Sequence, residues 1–402
     1  MRVAGDAHLS YCTNIHPGES LAEVRRALET HVLEVKRRVS PEAPFGVGLR
    51  LSARAAAELS RGDACEELGT FLRSHGAYVF TLNGFPYGEF HGADGGAVKA
   101  RVYEPDWRDE ARLIYTRTLA EALATLLPDD CEGSISSVPL GFRPSFRRAE
   151  AWTHAREHVL DAVAMLHALR ERSGKLVSLA LEPEPACALE TTEEAVRFFR
   201  EQLAGGEGIA ALAARMRDSA SAAEAALHVH FGLCLDACHA AVEFEDAKAS
   251  VACLQSAGLD VKKLQISAGM RAPRLNEEAM AALEAFEDAV YLHQSVARDA
   301  RGELTRFVDL PEALAARRAG TLAEATELRV HFHVPIFVER FGVLESTQAF
   351  VRELLGLQRE RGVSKHLEVE TYTWDVLPSA MRGAWVEDDI ARELALTKEP
   401  SS

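Results

Sequence analysis

One feature constrains this chain more than any other: short apolar runs alternate with segments of helical period from end to end. The runs lie near 2–12, 45–51 (FGVGLRL), 77–83 (AYVFTLN), 134–140 (SISSVPL), 176–182 (LVSLALE), 229–236 (VHFGLCLD), 262–267 (KKLQIS) and 366–370 (HLEVE). Each has the length and apolar character of a buried strand. Between them, Leu21, Val24, Leu28, Val32, Val35 and Val39 recur at steps of three and four, which marks one face of a helix. Ser20 followed by Glu23 is a capping box at its start. Val159, Val163, Leu166 and Leu169 mark a second helix, and Asp106 is read as the N-cap of a third over 107–127. The last long helix spans 346–361.

Strand and helix in strict alternation predict a parallel sheet. The runs are mostly about 30 to 55 residues apart, which suits right-handed β-α units. Eight such units close a barrel, so the expectation is an α/β fold, a (β/α)8 TIM barrel. An open doubly wound sheet is the rival, but its phosphate-binding glycine fingerprint is missing after the first run. No linker rich in Pro, Gly or Ser divides the chain, so 1–395 is read as a single barrel domain and 396–402 as a flexible tail. Between the seventh and eighth runs lie two more extended stretches, AVYLHQSVAR (289–298) and LRVHFHVPIF (328–337). They are read as part of an insertion, 268–337, carried on the catalytic face, where barrel loops grow. A register that makes VHFHVP one of the eight strands stays open.

Composition narrows the partners. The formal net charge of −16 argues against a nucleic-acid partner, which would need clustered Lys and Arg. Seven cysteines, an odd number with no C-x-x-C pair, fit a reducing compartment. The opening residues lack the pattern of a signal peptide, and no stretch of about 18 apolar residues occurs. A cytoplasmic location follows as the expectation. Docking on a membrane protein is compatible with this composition.

In such a barrel the chemistry sits at the carboxyl ends of the strands. Glu182 ends LVSLALE, Asp236 ends FGLCLD, Gln265 lies in KLQIS and Glu370 ends HLEVE. Singly, each has an ordinary reading as a cap or a solvated loop residue. Together they place three carboxylates and an amide at one point, and unpaired buried charge is costly. A divalent cation removes that cost, and oxygen donors suit Mn²⁺, Mg²⁺, Zn²⁺ or Fe²⁺.

Histidines are the second signal. His8 and His16 follow the first strand, with Asn14 between them; Asn83 and His91 follow the third. His239 comes three residues after Asp236, His293 lies in YLHQ, and His331 and His333 share one side of VHFHVP if it is a strand. Neutral imidazole serves as metal ligand or acid–base group. With Asn14 and Asn83, the histidines at 8, 16, 91, 293, 331 and 333 are candidates for holding a small-molecule substrate.

These motifs resemble the xylose-isomerase-like superfamily, which includes sugar epimerases, hydroxypyruvate isomerase and the four-type apurinic endonucleases. LALEPEP resembles the epimerases' strand-five motif and LDACH the strand-six Asp-x-x-His motif; LQIS resembles the strand-seven motif of hydroxypyruvate isomerase, where Gln stands in for the epimerases' metal-bound His, and VETYTW resembles the final strand. The resemblance implies Glu182, Asp236, Gln265 and Glu370 as metal ligands. The stretches HLSYCTNIHPGE, TLNGFPYGEFHG, YLHQ with LTRFVDLPEAL, and VHFHVPIF are similar to the metabolite traffic protein EboE family. That resemblance implies a role in moving secondary-metabolite precursors.

Three functional readings follow. The first is a metal-dependent isomerase or epimerase, in which Glu182 and Glu370 move a proton and His239 orients the substrate. The second is a metal-dependent hydrolase resembling the four-type endonuclease phosphodiesterases. The third is a non-catalytic protein that binds a metabolite and hands it on.

Overall fold

The computed structural model describes residues 1–3, 6–88, 101–286, 292–378 and 381–398. In chain order its strands are β1 (Arg2–Val3), β2 (Ala7–Tyr11), β3 (Phe45–Arg50), β4 (Ala77–Asn83), β5 (Gly133–Ser137), β6 (Val177–Leu181), β7 (Phe231–Asp236), β8 (Val261–Ile266), β9 (Ala268–Ala272), β10 (Ser295–Arg298), β11 (Leu304–Phe307), β12 (Glu327–Val334), β13 (Arg340–Phe341), β14 (Leu344–Ser346) and β15 (His366–Val369). Eight of them, β2–β8 and β15, form a parallel sheet in the order β2-β15-β8-β7-β6-β5-β4-β3. A parallel bridge between Cys12 and Gly48 brings the two edges together. The (β/α)8 barrel expected from the alternation is therefore the fold, with each barrel strand on one of the eight apolar runs.

The seam between β2 and β3 is closed by a side chain. The Ser10 hydroxyl accepts from the Gly48 amide at 2.8 Å and donates to the Gly46 carbonyl at 2.8 Å. A bare glycine at 48 is required here, because a Cβ would overlap Glu368 Oε2 and approach the Tyr11 carbonyl oxygen to 2.8 Å. Neither neighbour has room to retreat inside a closed barrel. Gly48→Ala is expected to destabilise the chain by about 1–3 kcal/mol, seen as a lower midpoint in thermal or urea unfolding.

The helices cover the barrel as amphipathic shells. Ser20 and Glu23 form the capping box expected of them, and Val24, Leu28, Val32 and Val35 are buried. The third helix starts later than its expected cap: it runs Glu110–Leu126, and Asp109 accepts from the Ala111 amide. Asp106 is instead bound to Arg108, both backbone and guanidinium, while Trp107 is fully buried with its indole N–H on Ser137 Oγ. Burying Trp107 fixes the chain in a turn, and the helix begins only beyond it. The last helix runs Val386–Lys398, with Leu394 and Thr397 buried, so residues 396–398 are helical. No helix among the described residues is long and apolar enough to cross a membrane.

The barrel interior is polar in layers. Inward positions alternate along a strand, and on β15 these are His366 and Glu368, with Glu370 next in the same phase. Lys263 and Gln265 of β8 stand beside the last two. In the middle layer Lys263 Nζ lies 2.6 Å from Glu368 Oε1, both side chains being completely buried. Its second partner is Ser136 Oγ, at 3.2 Å.

After Ile266 the chain passes through Ser267 straight into β9 and leaves the barrel. Strands β9–β14 form a second, antiparallel sheet in the order β11-β10-β12-β9-β14-β13. VHFHVP therefore belongs to this sheet, on β12, and not to the barrel. The chain returns beside its point of departure: β14 pairs with β9, and Gly269 and Thr347 exchange two hydrogen bonds of 2.8 and 2.9 Å.

Candidate metal centre

Each oxygen donor is placed by the end of a barrel strand. Glu182 directly follows β6, its amide still bonded to the Ser137 carbonyl of β5. Asp236 ends β7 and caps the helix Ala237–Val242 by accepting from the His239 amide at 2.8 Å. Glu370 follows β15, and Gln265 lies inward on β8. Oxygens of Glu182, Asp236 and Glu370 all lie within 4.8 Å of one another, and all three residues are buried. Three carboxylates this close cannot all stay charged without compensation. Burial, with Glu370 and Asp236 adding to it, pushes Glu182 well above the usual carboxylate range. Burial likewise raises Glu370 to about 8, with Asp236 contributing.

The surrounding donors orient Glu370. Its Oε1 accepts from Asn14 Nδ2 at 2.6 Å and Asn83 Nδ2 at 3.1 Å; its Oε2 accepts from Gln265 Nε2 at 2.8 Å. Gln265 therefore turns its amide nitrogen to Glu370, and its oxygen is buried with no hydrogen-bond partner among the described residues. Asp236 Oδ2 is in the same condition, while its Oδ1 accepts from Ser267 Oγ at 2.8 Å. Two orphaned buried oxygens beside two carboxylates are a donor set that fits a hard or borderline divalent ion. Glu182, Asp236, Gln265 and Glu370 are the residues that would hold it.

A nitrogen-rich lobe adjoins the oxygen one. The ring of His239 lies 4.5 Å from that of His331 and 6.1 Å from that of His333, centroid to centroid. The two β12 histidines thus face the barrel mouth together. Burial lowers His331 well below its ordinary value and His333 to about 4, which disfavours a charge on either ring.

The other candidates scatter. Asn14 and Asn83 join the cluster through Glu370. His8 sits at the amino end of the barrel, its Nδ1 2.8 Å from the Tyr78 hydroxyl, because it is only the second residue of its strand. His16 lies 2.9 Å from the Tyr11 hydroxyl and stacks on His31 at 4.3 Å, against the first helix. His293 packs on Phe332, and its amide donates to Asp309. His91 falls outside the described residues.

Sequence reasoning missed Glu184, Gln294 and Tyr103. Glu184 accepts from Tyr103 Oη at 2.7 Å and from Gln294 Nε2 at 3.1 Å, and it lies near His239 and His331. The signal was present in LEPEP, where Glu184 repeats the strand phase of Glu182. Gln294 directly follows His293 in YLHQ, but nothing local shows which of the two reaches the mouth.

No protein-family model and no curated protein matches the chain. Solved structures of similar form include a probable 3-DHS dehydratase, AsbF, involved in petrobactin synthesis in Bacillus anthracis. It is 13% identical, with a TM-score of 0.46, covering 98% of this chain and 100% of that one. A 3-keto-D-glucoside 4-epimerase, YcjR, from E. coli is 17% identical with a TM-score of 0.35, covering 66% and 78%. The IolI protein, solved with a bound zinc atom, is 13% identical with a TM-score of 0.43, covering 97% and 96%. At these identities and scores the likenesses carry no argument about what this chain does.

Proposed function

We propose that the chain is a metal-dependent isomerase or epimerase of a small metabolite that carries a hydroxyl beside a carbonyl. The observation that carries the proposal is the convergence of Glu182, Asp236 and Glu370, with the orphaned Gln265 oxygen, at the carboxyl ends of four barrel strands. A divalent ion held there would supply Lewis-acid stabilisation of the negative charge that develops on the substrate oxygens. The proton is handled by protein groups. Glu182 takes it from the carbon next to the carbonyl on one face, and Glu370 returns one from the other. Asn14 and Asn83 hold Glu370 in one orientation for this step. His239 orients the substrate hydroxyl, its own ring being fixed by the Pro183 carbonyl at 2.9 Å.

The stretches similar to the EboE family support a place in the supply of secondary-metabolite precursors. The cysteine pattern supports a cytoplasmic site of action, where the product would pass to a membrane-bound partner. A second reading, hydrolysis, draws on the histidine lobe beside Asp236, since such donors suit water activation.

The test is proton exchange. The metal-loaded chain is incubated with a panel of ketoses and keto-acids in D₂O, and deuterium at the carbon next to the carbonyl is read by mass spectrometry. Exchange is expected with at least one substrate, falling about 10²–10⁴-fold in Glu182→Gln or Glu370→Gln. Cleavage of phosphodiesters without any exchange would replace this reading with hydrolysis. Neither reaction at full metal occupancy would leave a binding protein.

A further inference from the structure

The antiparallel sheet carries a run of arginines on one face. In its register Arg271 of β9 stands directly opposite Arg329 of β12 on one side and Glu345 of β14 on the other. Arg340 of β13 is opposite Glu345, and Arg298 of β10 is opposite Glu327 of β12. Residues directly opposite in an antiparallel pair share a face, and like charges placed so are destabilising. The face therefore has a repulsive pair, Arg271 against Arg329, near its centre.

Two carboxylates relieve it only in part. Glu327 accepts from three arginines: Arg271 Nε at 2.8 Å, Arg329 Nε at 2.9 Å and Arg298 Nη2 at 3.0 Å. Glu345 lies 2.7 Å from Arg271 Nη1 and 2.8 Å from Arg340 Nη2. Four guanidinium groups thus share two carboxylates, in a chain whose formal net charge is −16. Burial lowers Arg329 below its ordinary value; Glu327 opposes this, and repulsion from Arg271 and Arg298 adds to it. An ion-pair network that served stability alone would match its charges one for one. The backbone is strained at the same place. Phe244 has φ 59°, in the left-handed region that a bulky residue rarely adopts. Its ring centroid lies 4.4 Å from the Arg298 guanidinium carbon and 4.1 Å from that of Arg329. These cation–π contacts hold both heads in place. The side chains of Arg298 and Arg340 are 40% and 71% exposed. Each meets its carboxylate through one nitrogen, which leaves most of its five donors for another acceptor.

We propose that this face of the sheet, through Arg271, Arg298 and Arg340, binds a small polyanion: a metabolite that carries a phosphate or several carboxylates. The planar guanidinium fork suits either kind of oxyanion. The site lies apart from the carboxylate cluster. Arg329 Nη1 donates to the Ala241 carbonyl at 2.6 Å, near the carboxyl end of the helix Ala237–Val242, whereas Asp236 caps the amino end. The inference goes beyond the isomerase reading and stands without it.

The test is calorimetric titration of the full chain, at low salt, with inorganic phosphate and with tricarballylate. Saturable binding of at least one is expected, and the tighter of the two gives the ligand's chemistry. Affinity should fall as KCl is added, because the face is exposed and its charges are screened. Arg298→Gln and Arg340→Gln should each weaken binding about 10-fold or more, the loss of a charge-assisted hydrogen bond. Arg340 is exposed enough that its variant folds, so a loss there reports on the anion. Glu345→Gln should act in the opposite sense and tighten binding, since it removes a carboxylate that competes for the same guanidinium groups. Glu182→Gln should leave the affinity unchanged, which separates this site from an anion held at the barrel mouth. No saturable binding of either anion by the unmutated chain would overturn the site. So would binding that Arg298→Gln and Arg340→Gln leave intact, that Glu345→Gln weakens, or that Glu182→Gln abolishes.

Discussion

Elemental analysis is expected to find a divalent ion in the unmutated protein and to find it lost from purified Glu182→Gln and Asp236→Asn chains. Losing an outer-shell partner of a metal costs roughly 10–100-fold in affinity, and removing a charged ligand costs more. Each variant also removes one of three carboxylates within 4.8 Å, so the metal-free variants should be more stable than the metal-free parent above neutral pH. The sign follows from the shifts. Burial raises Glu182 well above its ordinary value and Glu370 to about 8. Groups raised on folding give stability that is full below the unfolded carboxyl value, about 4.5, and is lost as pH climbs through the folded one. Metal-free parent should therefore weaken between about pH 4.5 and 8 and beyond, and added metal should reverse the trend. Metal affinity should rise over the same window, because the ion must displace those protons. Unfolding midpoints and metal titrations from pH 5 to 9 read both. A chain that never holds metal, with variants folded and unaltered, would make the carboxylates structural.

Lys263→Met is expected to cost about 3–5 kcal/mol, the usual result of stripping a buried charge of its partner. Glu368 would remain at the centre of the barrel with no cation, hemmed in by Gly48 and the Tyr11 carbonyl. Adding Glu368→Gln should restore much of the loss, since the remaining amide is neutral. If the double variant is as unstable as the single one, the pair is not what Lys263 contributes. Burial disfavours the Lys263 ammonium, but Glu368 outweighs it and holds the group above its ordinary value. The pair's contribution should therefore be constant from neutral pH to about 10, and decline only in stronger alkali. Urea unfolding of the three chains at pH 7 and pH 10 measures this.

The barrel was legible because eight short runs, each apolar at least on the face turned to the helices, such as Leu264 and Ile266 or Leu367 and Val369, stand out against segments of helical period. The oxygen cluster was equally legible in position: Glu182, Asp236 and Glu370 each close an apolar run, and strand ends in a barrel all meet at one mouth. What local sequence does not carry is depth along the axis. His8 and Asn14 look alike as polar residues near the first strand. One enters at the amino end, and the other lies in the turn beyond the carboxyl end. Asp106 shows the same limit, since only the burial of Trp107 decides that the helix waits for Asp109. The partners of β12 were out of reach for another reason. Their neighbours, Gln294 and Glu184, are distant in sequence, and their meeting depends on how one sheet lies over another.

The stretch from β9 to β14 leaves and re-enters the barrel at adjacent residues, clasped by Gly269 and Thr347. Its path is a closed detour, so the barrel strands on either side owe nothing to its length. Yet it begins as the continuation of β8, with Ser267 as the shared joint, and Ser267 Oγ holds both Asp236 and the Cys238 amide. A cover that grows out of a barrel stave is hinged to nothing. It behaves as a second storey built on the same column, whose histidines keep a fixed height above the carboxylates. Transplanting 270–346 onto a plain barrel of this kind would then carry His331 and His333 to a predetermined place.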